Sequence, residues 1–151
     1  MKSNWRGLLV PAIVVVAALF FLQRFRGGGG SGVAPVPAVF SQGLTLAQAQ
    51  DQSKLAGKPM LVYATADWCG PCQHFKRTTL LDPEVVAFIQ SSTIPVYLDI
   101  DHHKEDAAKF NITSIPATVL VRDGSMVAKF SAGAVGANEY LAWLKTEIAA
   151  K

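Results

Sequence analysis

Only two of the 151 residues are cysteine, so no disulfide-rich scaffold holds this chain together. Charged residues make up just 17% against 50% apolar, the reverse of a disordered chain's balance. The 12 glycines and 8 prolines are too few for a collagen-like chain. No internal repeat is present, and the length allows one domain with an appendage. The first 32 residues hold no acid; Lys2, Arg6, Arg24 and Arg26 give them a charge of +4. The rest of the chain carries −1. The basic balance therefore belongs to the N-terminus, and the remainder has no electrostatic case for a phosphate backbone, which excludes a nucleic-acid partner.

What the N-terminus does have is an uncharged run of 17 residues, Gly7 to Gln23, flanked by Arg6 and Arg24. As a helix this run spans about 26 Å, the short end of what crosses a bilayer. Trp5 and Phe25 stand at its edges, as interfacial aromatics do. Pro11 falls in the first turn or so, where it harms a helix least. The rival reading is a cleaved signal peptide. Its one tolerable cleavage site, Val36-Pro37-Ala38, lies far beyond the apolar run and two arginines, whereas cleavage normally follows that run closely. The expected organisation is a membrane anchor over 1–26, a Gly/Pro-rich tether over 27–39 and one domain over 40–151. The flanking charges nearly balance, so they do not orient the anchor.

In the domain, Leu44 to Ala56 suits a helix with Leu44, Ala47, Gln48 and Leu55 near one face, and Gly57 closes it. Met60 to Ala64 and Ile94 to Ile100 read as buried strands. Helical sequence runs from about Gly70 to Leu80. It restarts at Asp82-Pro83-Glu84, with Asp as N-cap and Pro in the first turn. Asp101 to Phe110 suits a helix capped by Asp101. Ala117 to Val121 and Met126 to Phe130 read as strands joined by an Asp123-Gly124 hairpin turn. Asn138 to Ile148 is an amphipathic helix with Tyr140, Leu141, Leu144 and Ile148 on one face. This order predicts an α/β domain whose helix-joined strands are parallel, with antiparallel pairing added by the hairpin.

The two cysteines stand three apart in Trp68-Cys69-Gly70-Pro71-Cys72, where a loop enters a helix. At a helix start, residues i and i+3 face one side, so the two sulfurs can bond. The free N–H groups and partial positive charge there favour thiolate over thiol. Cys69 is the expected nucleophile and Cys72 the resolving thiol. Cys69 attacks a substrate disulfide, and Cys72 then displaces the reduced substrate. Trp68 shields one side of the sulfur and offers substrates an apolar contact. A structural zinc site lacks a second cysteine pair, and His74, His102 and His103 follow no finger spacing. His102 and His103 read instead as a solvated helix start.

Trp68-Cys69-Gly70-Pro71-Cys72 after a buried strand resembles thioredoxin. Ser114-Ile115-Pro116-Ala117-Thr118 resembles that family's cis-proline loop. The likeness covers about residues 44–149. It implies a thioredoxin fold, with a mixed central sheet of four to five strands flanked by helices. It also implies a cis Pro116 beside the sulfurs and an Ile115 that contacts substrate. By the same likeness Trp68, Gly70 and Pro71 line the substrate site. The stretch Gly57-Lys58-Pro59-Met60, with Ala66-Asp67-Trp68-Cys69 and Asp82-Pro83-Glu84-Val85, resembles the C-terminal thioredoxin-like domain of the membrane protein DsbD and single-anchor relatives. One departure stands out. The family's buried Asp, six residues before the first cysteine, is Tyr63 here, and its Lys partner aligns with Tyr97. Phenols are poor bases near neutral pH. Either the core is repacked, or the resolving step is slower or uses another base, such as Glu84 or His74.

These readings converge on a membrane-tethered thiol:disulfide oxidoreductase that reduces protein disulfides and needs no cofactor or metal beyond the Cys69–Cys72 pair. Its partners would be disulfide-containing proteins, membrane lipid, and a transmembrane or thioredoxin-type electron donor. Persistent disulfides lie outside the cytoplasm, which favours a periplasmic domain. A copper-carrying metallochaperone using the same cysteines, or a disulfide oxidase or isomerase on the same scaffold, are the alternative readings.

Overall fold

The computed structural model describes residues 32–131, 133 and 135–150. The uncharged run Gly7 to Gln23 lies outside the described residues. Among the described residues, no helix is long and apolar enough to cross a membrane. The domain is a compact unit that begins at Val33.

A 3-10 turn at Ala38–Phe40 precedes helix α1 (Leu46–Ala56) and strand β1 (Met60–Thr65). Helix α2 (Gly70–Arg77), a second 3-10 turn (Thr79–Leu81) and helix α3 (Pro83–Ser92) lead to β2 (Ile94–Asp99). Helix α4 (Lys104–Lys109), β3 (Ala117–Arg122), β4 (Ser125–Phe130) and α5 (Ala137–Ala149) complete the chain. The strands form one mixed sheet in the order β2-β1-β3-β4.

Side chains of β1 alternate between two apolar layers, so this central strand is buried on both faces. Leu61 and Tyr63 pack with Phe75, Leu80, Val85, Ile89, Tyr140 and Leu144, beneath α2, α3 and α5. Met60, Val62 and Ala64 pack with Ala49, Val96, Leu98, Ala107 and Val119, beneath α1 and α4. Each large apolar side chain taken from water this way contributes about 1.5–3 kcal/mol.

Local signals fix the elements. Thr45 and Gln48 form a reciprocal cap that starts α1, and Gly57 ends it at φ 63°. Asp82 accepts the N–H groups of Glu84 and Val85, and Pro83 opens α3. Asp123 and Gly124 both have positive φ, 50° and 79°, as a two-residue hairpin turn requires. Arg122 donates to the carbonyls of Glu147 and Ile148 at the end of α5.

Four expectations need correction. First, β2 and β3 are joined through a helix, yet β2 runs parallel to β1 and β3 antiparallel to it. Helix α4 has six residues, about 9 Å, too short to return the chain along a strand, so β3 starts at the end where β2 stops. Second, α1 turns inward along Leu46, Ala49, Gln50 and Ser53, and Leu55 is 89% exposed. Leu55 lies nine residues after Leu46, about half a turn round the helix. Third, α2 ends at Arg77 because the Thr78 hydroxyl and N–H both turn back to the His74 carbonyl. Fourth, Asp101 does not cap α4; His103 stands at that position without a side-chain bond. Residues 34–39, read from the sequence as the end of the tether, pack onto the domain with Ala34, Pro37 and Val39 buried, next to the buried Phe40.

Candidate redox site

Cys69 is the N-cap of α2, and its Sγ accepts the Cys72 N–H at 3.2 Å. Pro71 lies in the first turn, where a missing N–H leaves no helix bond unmade. The two sulfurs are joined at 2.02 Å, with the Cα atoms 5.2 Å apart. Both cysteines are buried, Cys69 with slight exposure, 4%, and Cys72 with none.

The pair packs against Ala66 and against half-buried Ile100 and Ile115. Ile115 thus reaches the disulfide from the loop before β3, and the Ile115–Pro116 peptide is cis, as the resemblance implies. Trp68, 69% exposed, flanks the site, and Gly70 and Pro71 are exposed beside it. The Trp68 indole N–H donates to the Asp101 carboxylate at 2.8 Å, which is the task Asp101 performs in place of capping α4. The structure therefore brings Trp68, Cys69, Gly70, Pro71 and Cys72 together with Ile115, and Pro116 lies next along the chain.

Below the disulfide lies a polar cluster. Tyr63 and Tyr97 are register partners on β1 and β2. The buried Tyr63 hydroxyl donates to the Cys72 carbonyl at 3.3 Å. Burial pushes both phenols up; the charges of Asp99 and Asp67 push Tyr97 further. Lys76, one turn after Cys72, is only 2% exposed and donates to the Tyr97 hydroxyl at 3.2 Å and to the Ala34 carbonyl at 3.0 Å. Burial pulls its ammonium pKa down, with Asp67 and Asp99 opposing. His74 and Glu84, the bases suggested by the sequence, are exposed.

Lys76 and Gln73 are the residues that sequence reasoning missed. Gln73 is buried and donates to the carbonyls of Ala66 and Asp67 at 3.0 and 3.1 Å. The signal was present: residues 69, 72, 73 and 76 form one i, i+3, i+4, i+7 stripe of α2. A charged residue on that stripe is buried, where a solvated one is the usual case. Among the described residues, no three His, Cys, Asp or Glu side chains gather to hold a metal.

A family profile for the thioredoxin-like domain matches residues 46–148. The chain is 33% identical over 99 residues to a thioredoxin of Pseudomonas aeruginosa, a match covering 66% of this chain and 87% of that protein. It is 31% identical over 80 residues to a thioredoxin H-type of Oryza sativa subsp. indica, covering 52% of this chain and 61% of that protein. The chain thus spans less than two thirds of the rice relative's length. Among solved structures, the DsbH oxidoreductase superposes with a TM-score of 0.65 at 22% identity, covering 85% of this chain and 99% of that one. At that identity the superposition speaks for the fold alone. Fold and disulfide together define a thioredoxin-fold domain with a Cys-x-x-Cys pair at a helix start. The chain belongs to the thioredoxin-like family.

Proposed function

We propose that this protein reduces disulfides in other proteins, from a position tethered to a membrane and facing the periplasm or an equivalent compartment. The observation that carries the reading is the disulfide at the start of α2, with Cys69 outermost and exposed Trp68, Gly70 and Pro71 around it. In the reduced protein, the Cys69 thiolate attacks a substrate disulfide and one substrate sulfur leaves as thiolate. Cys72 then attacks Cys69, releases the second substrate sulfur and restores the Cys69–Cys72 bond. Two electrons pass to the substrate. Ile115 packs against the pair and, with Pro116, forms the opposite wall of the substrate groove.

The uncharged run Gly7 to Gln23 supports the anchor, and the persistence of disulfides outside the cytoplasm supports the orientation. An exported reductase must be re-reduced, and a transmembrane or thioredoxin-type protein is the proposed donor. The test is trapping. Cys72→Ser should accumulate mixed disulfides with substrate proteins through Cys69, and Cys69→Ser should accumulate none. Trapping by Cys69→Ser instead would reverse the assigned roles.

A further inference from the structure

Two side chains of α2 grip one residue of the segment that leads into the domain. The Gln73 Oε1 accepts the Ala34 N–H at 2.7 Å, and the Lys76 ammonium donates to the Ala34 carbonyl at 3.0 Å. All three residues are buried. A few residues on, Val39 and Phe40 enter the larger core, so this strap is held at both ends.

Both grips lead to the dithiol. Gln73 places its amide N–H groups on the Ala66 and Asp67 carbonyls, just before Trp68 and Cys69. Lys76 also holds the Tyr97 hydroxyl. The Tyr97 ring meets Tyr63 edge-on at 6.0 Å, and the Tyr63 hydroxyl reaches the Cys72 carbonyl.

We propose that Gln73 and Lys76 are positioning residues through which the strap, residues 33–40, sets the redox equilibrium of the Cys69–Cys72 pair. This rests on the oxidoreductase reading of the pair and adds a determinant to it. The strap takes Lys76 out of water, and a charge acts more strongly where the dielectric is low. Lys76 lies about one helical turn after Cys72 and about two after Cys69. Reduction by a thiol such as glutathione adds two electrons and breaks the S–S bond. Cys69 is left as a thiolate, and Cys72 takes up one proton. The disulfide is uncharged, so only the reduced state offers Lys76 a new negative partner. The other charged and titratable groups around Lys76 are Asp67, Asp99, Arg77 and Tyr97, and none of them gains or loses an electron. The strap therefore docks more tightly on the reduced protein. By linkage, docking favours the reduced form by the same factor.

The test uses the full chain. Hydrogen exchange at the Ala34 amide is measured in the oxidised protein and after reduction with dithiothreitol. The dithiol equilibrium against glutathione is measured for the wild type, Lys76→Met and Ala34→Pro, the last of which removes the N–H that Gln73 holds. The expected result is about fivefold or greater extra protection of Ala34 in the reduced state, with both variants shifted toward the disulfide by a similar factor. Equal protection in the two states, greater protection in the oxidised state, or an unshifted equilibrium in Lys76→Met would overturn the proposal. The wild-type exchange experiment stands even if a variant fails to fold. A pair that does not equilibrate with glutathione at all would overturn the oxidoreductase reading itself, which separates the two failures.

Discussion

The Tyr63 hydroxyl donates to the Cys72 carbonyl across 3.3 Å, so the strand beneath Cys72 meets it with a phenol. Burial keeps that phenol neutral near pH 7, where it can donate a hydrogen bond but cannot take a thiol's proton. Tyr63 also packs against Phe40, Phe75 and Tyr97, with ring centroids 5.6 to 6.0 Å apart. The position serves packing and one hydrogen bond.

Tyr63→Phe should therefore lower stability by about 0.5–1.5 kcal/mol, the worth of one hydrogen bond. It should leave mixed-disulfide resolution within about threefold, far from the hundredfold or more that a general base supplies. Tyr63→Asp should cost about 3 kcal/mol or more, through a cavity and a desolvated carboxylate. In the fraction that folds, resolution near neutral pH should be faster. Urea titration and stopped-flow reduction of a small disulfide check both variants, and a large rate loss in Tyr63→Phe would show that the phenol itself takes part.

All three tyrosines of the chain have pKa values raised above the ordinary phenol value, chiefly by burial. The unfolded chain releases these protons near pH 10 and the folded chain holds them longer. Their contribution to stability is thus complete below about pH 10 and is lost as pH rises toward the folded values. The buried Lys76 acts oppositely: its lowered pKa means a penalty below the folded value, relieved as pH rises toward about 10.5. A spectrophotometric titration should show no tyrosine ionising with an ordinary midpoint. Phenolate absorbance should rise together with the loss of secondary structure.

The start of the stable domain is testable by trimming. A chain beginning at Val33 keeps the Ala34 bonds and the buried Phe40. It should match the full chain in urea midpoint for the domain transition. Phe40→Ala should cost about 3–5 kcal/mol, as truncation of a buried aromatic does. Removal of residues 1–38 should also destabilise, because it strips Gln73 and Lys76 of their Ala34 partners. An undiminished midpoint in that shorter chain would mean that the strap contributes nothing.

The tethering proposal predicts that the expressed full chain pellets with membranes, resists carbonate extraction and retains its first residues. A soluble product beginning near Val39 would instead identify the N-terminus as a cleaved signal.

Much of the fold was legible because its signals are local. Gly57, Asp82-Pro83 and Asp123-Gly124 each carry the chemistry of a cap or turn, and each stands where the element starts or ends, whereas Thr45, read inside the first helix, is its cap. The direction of β3 was not legible, since it depends on how far a six-residue helix can carry the chain. Asp101 has cap chemistry, yet the Trp68 indole, 33 residues away, claims its carboxylate. The dithiol and the Ile115-Pro116 loop could be read from motifs. The polar cluster beneath them could not, because Ala34, Gln73, Lys76 and Tyr97 come from three separate segments. A lysine on a helix beside Arg77 reads as solvated until the strap that covers it is known.

The claim that this protein reduces disulfides is tested most directly by the reduction potential of the Cys69–Cys72 pair, measured by equilibration with glutathione or a thioredoxin of known potential. The account predicts a value below about −230 mV, on the reducing side of the glutaredoxin range and toward that of thioredoxin. A value above about −180 mV, the range of disulfide isomerases and oxidases, would contradict it.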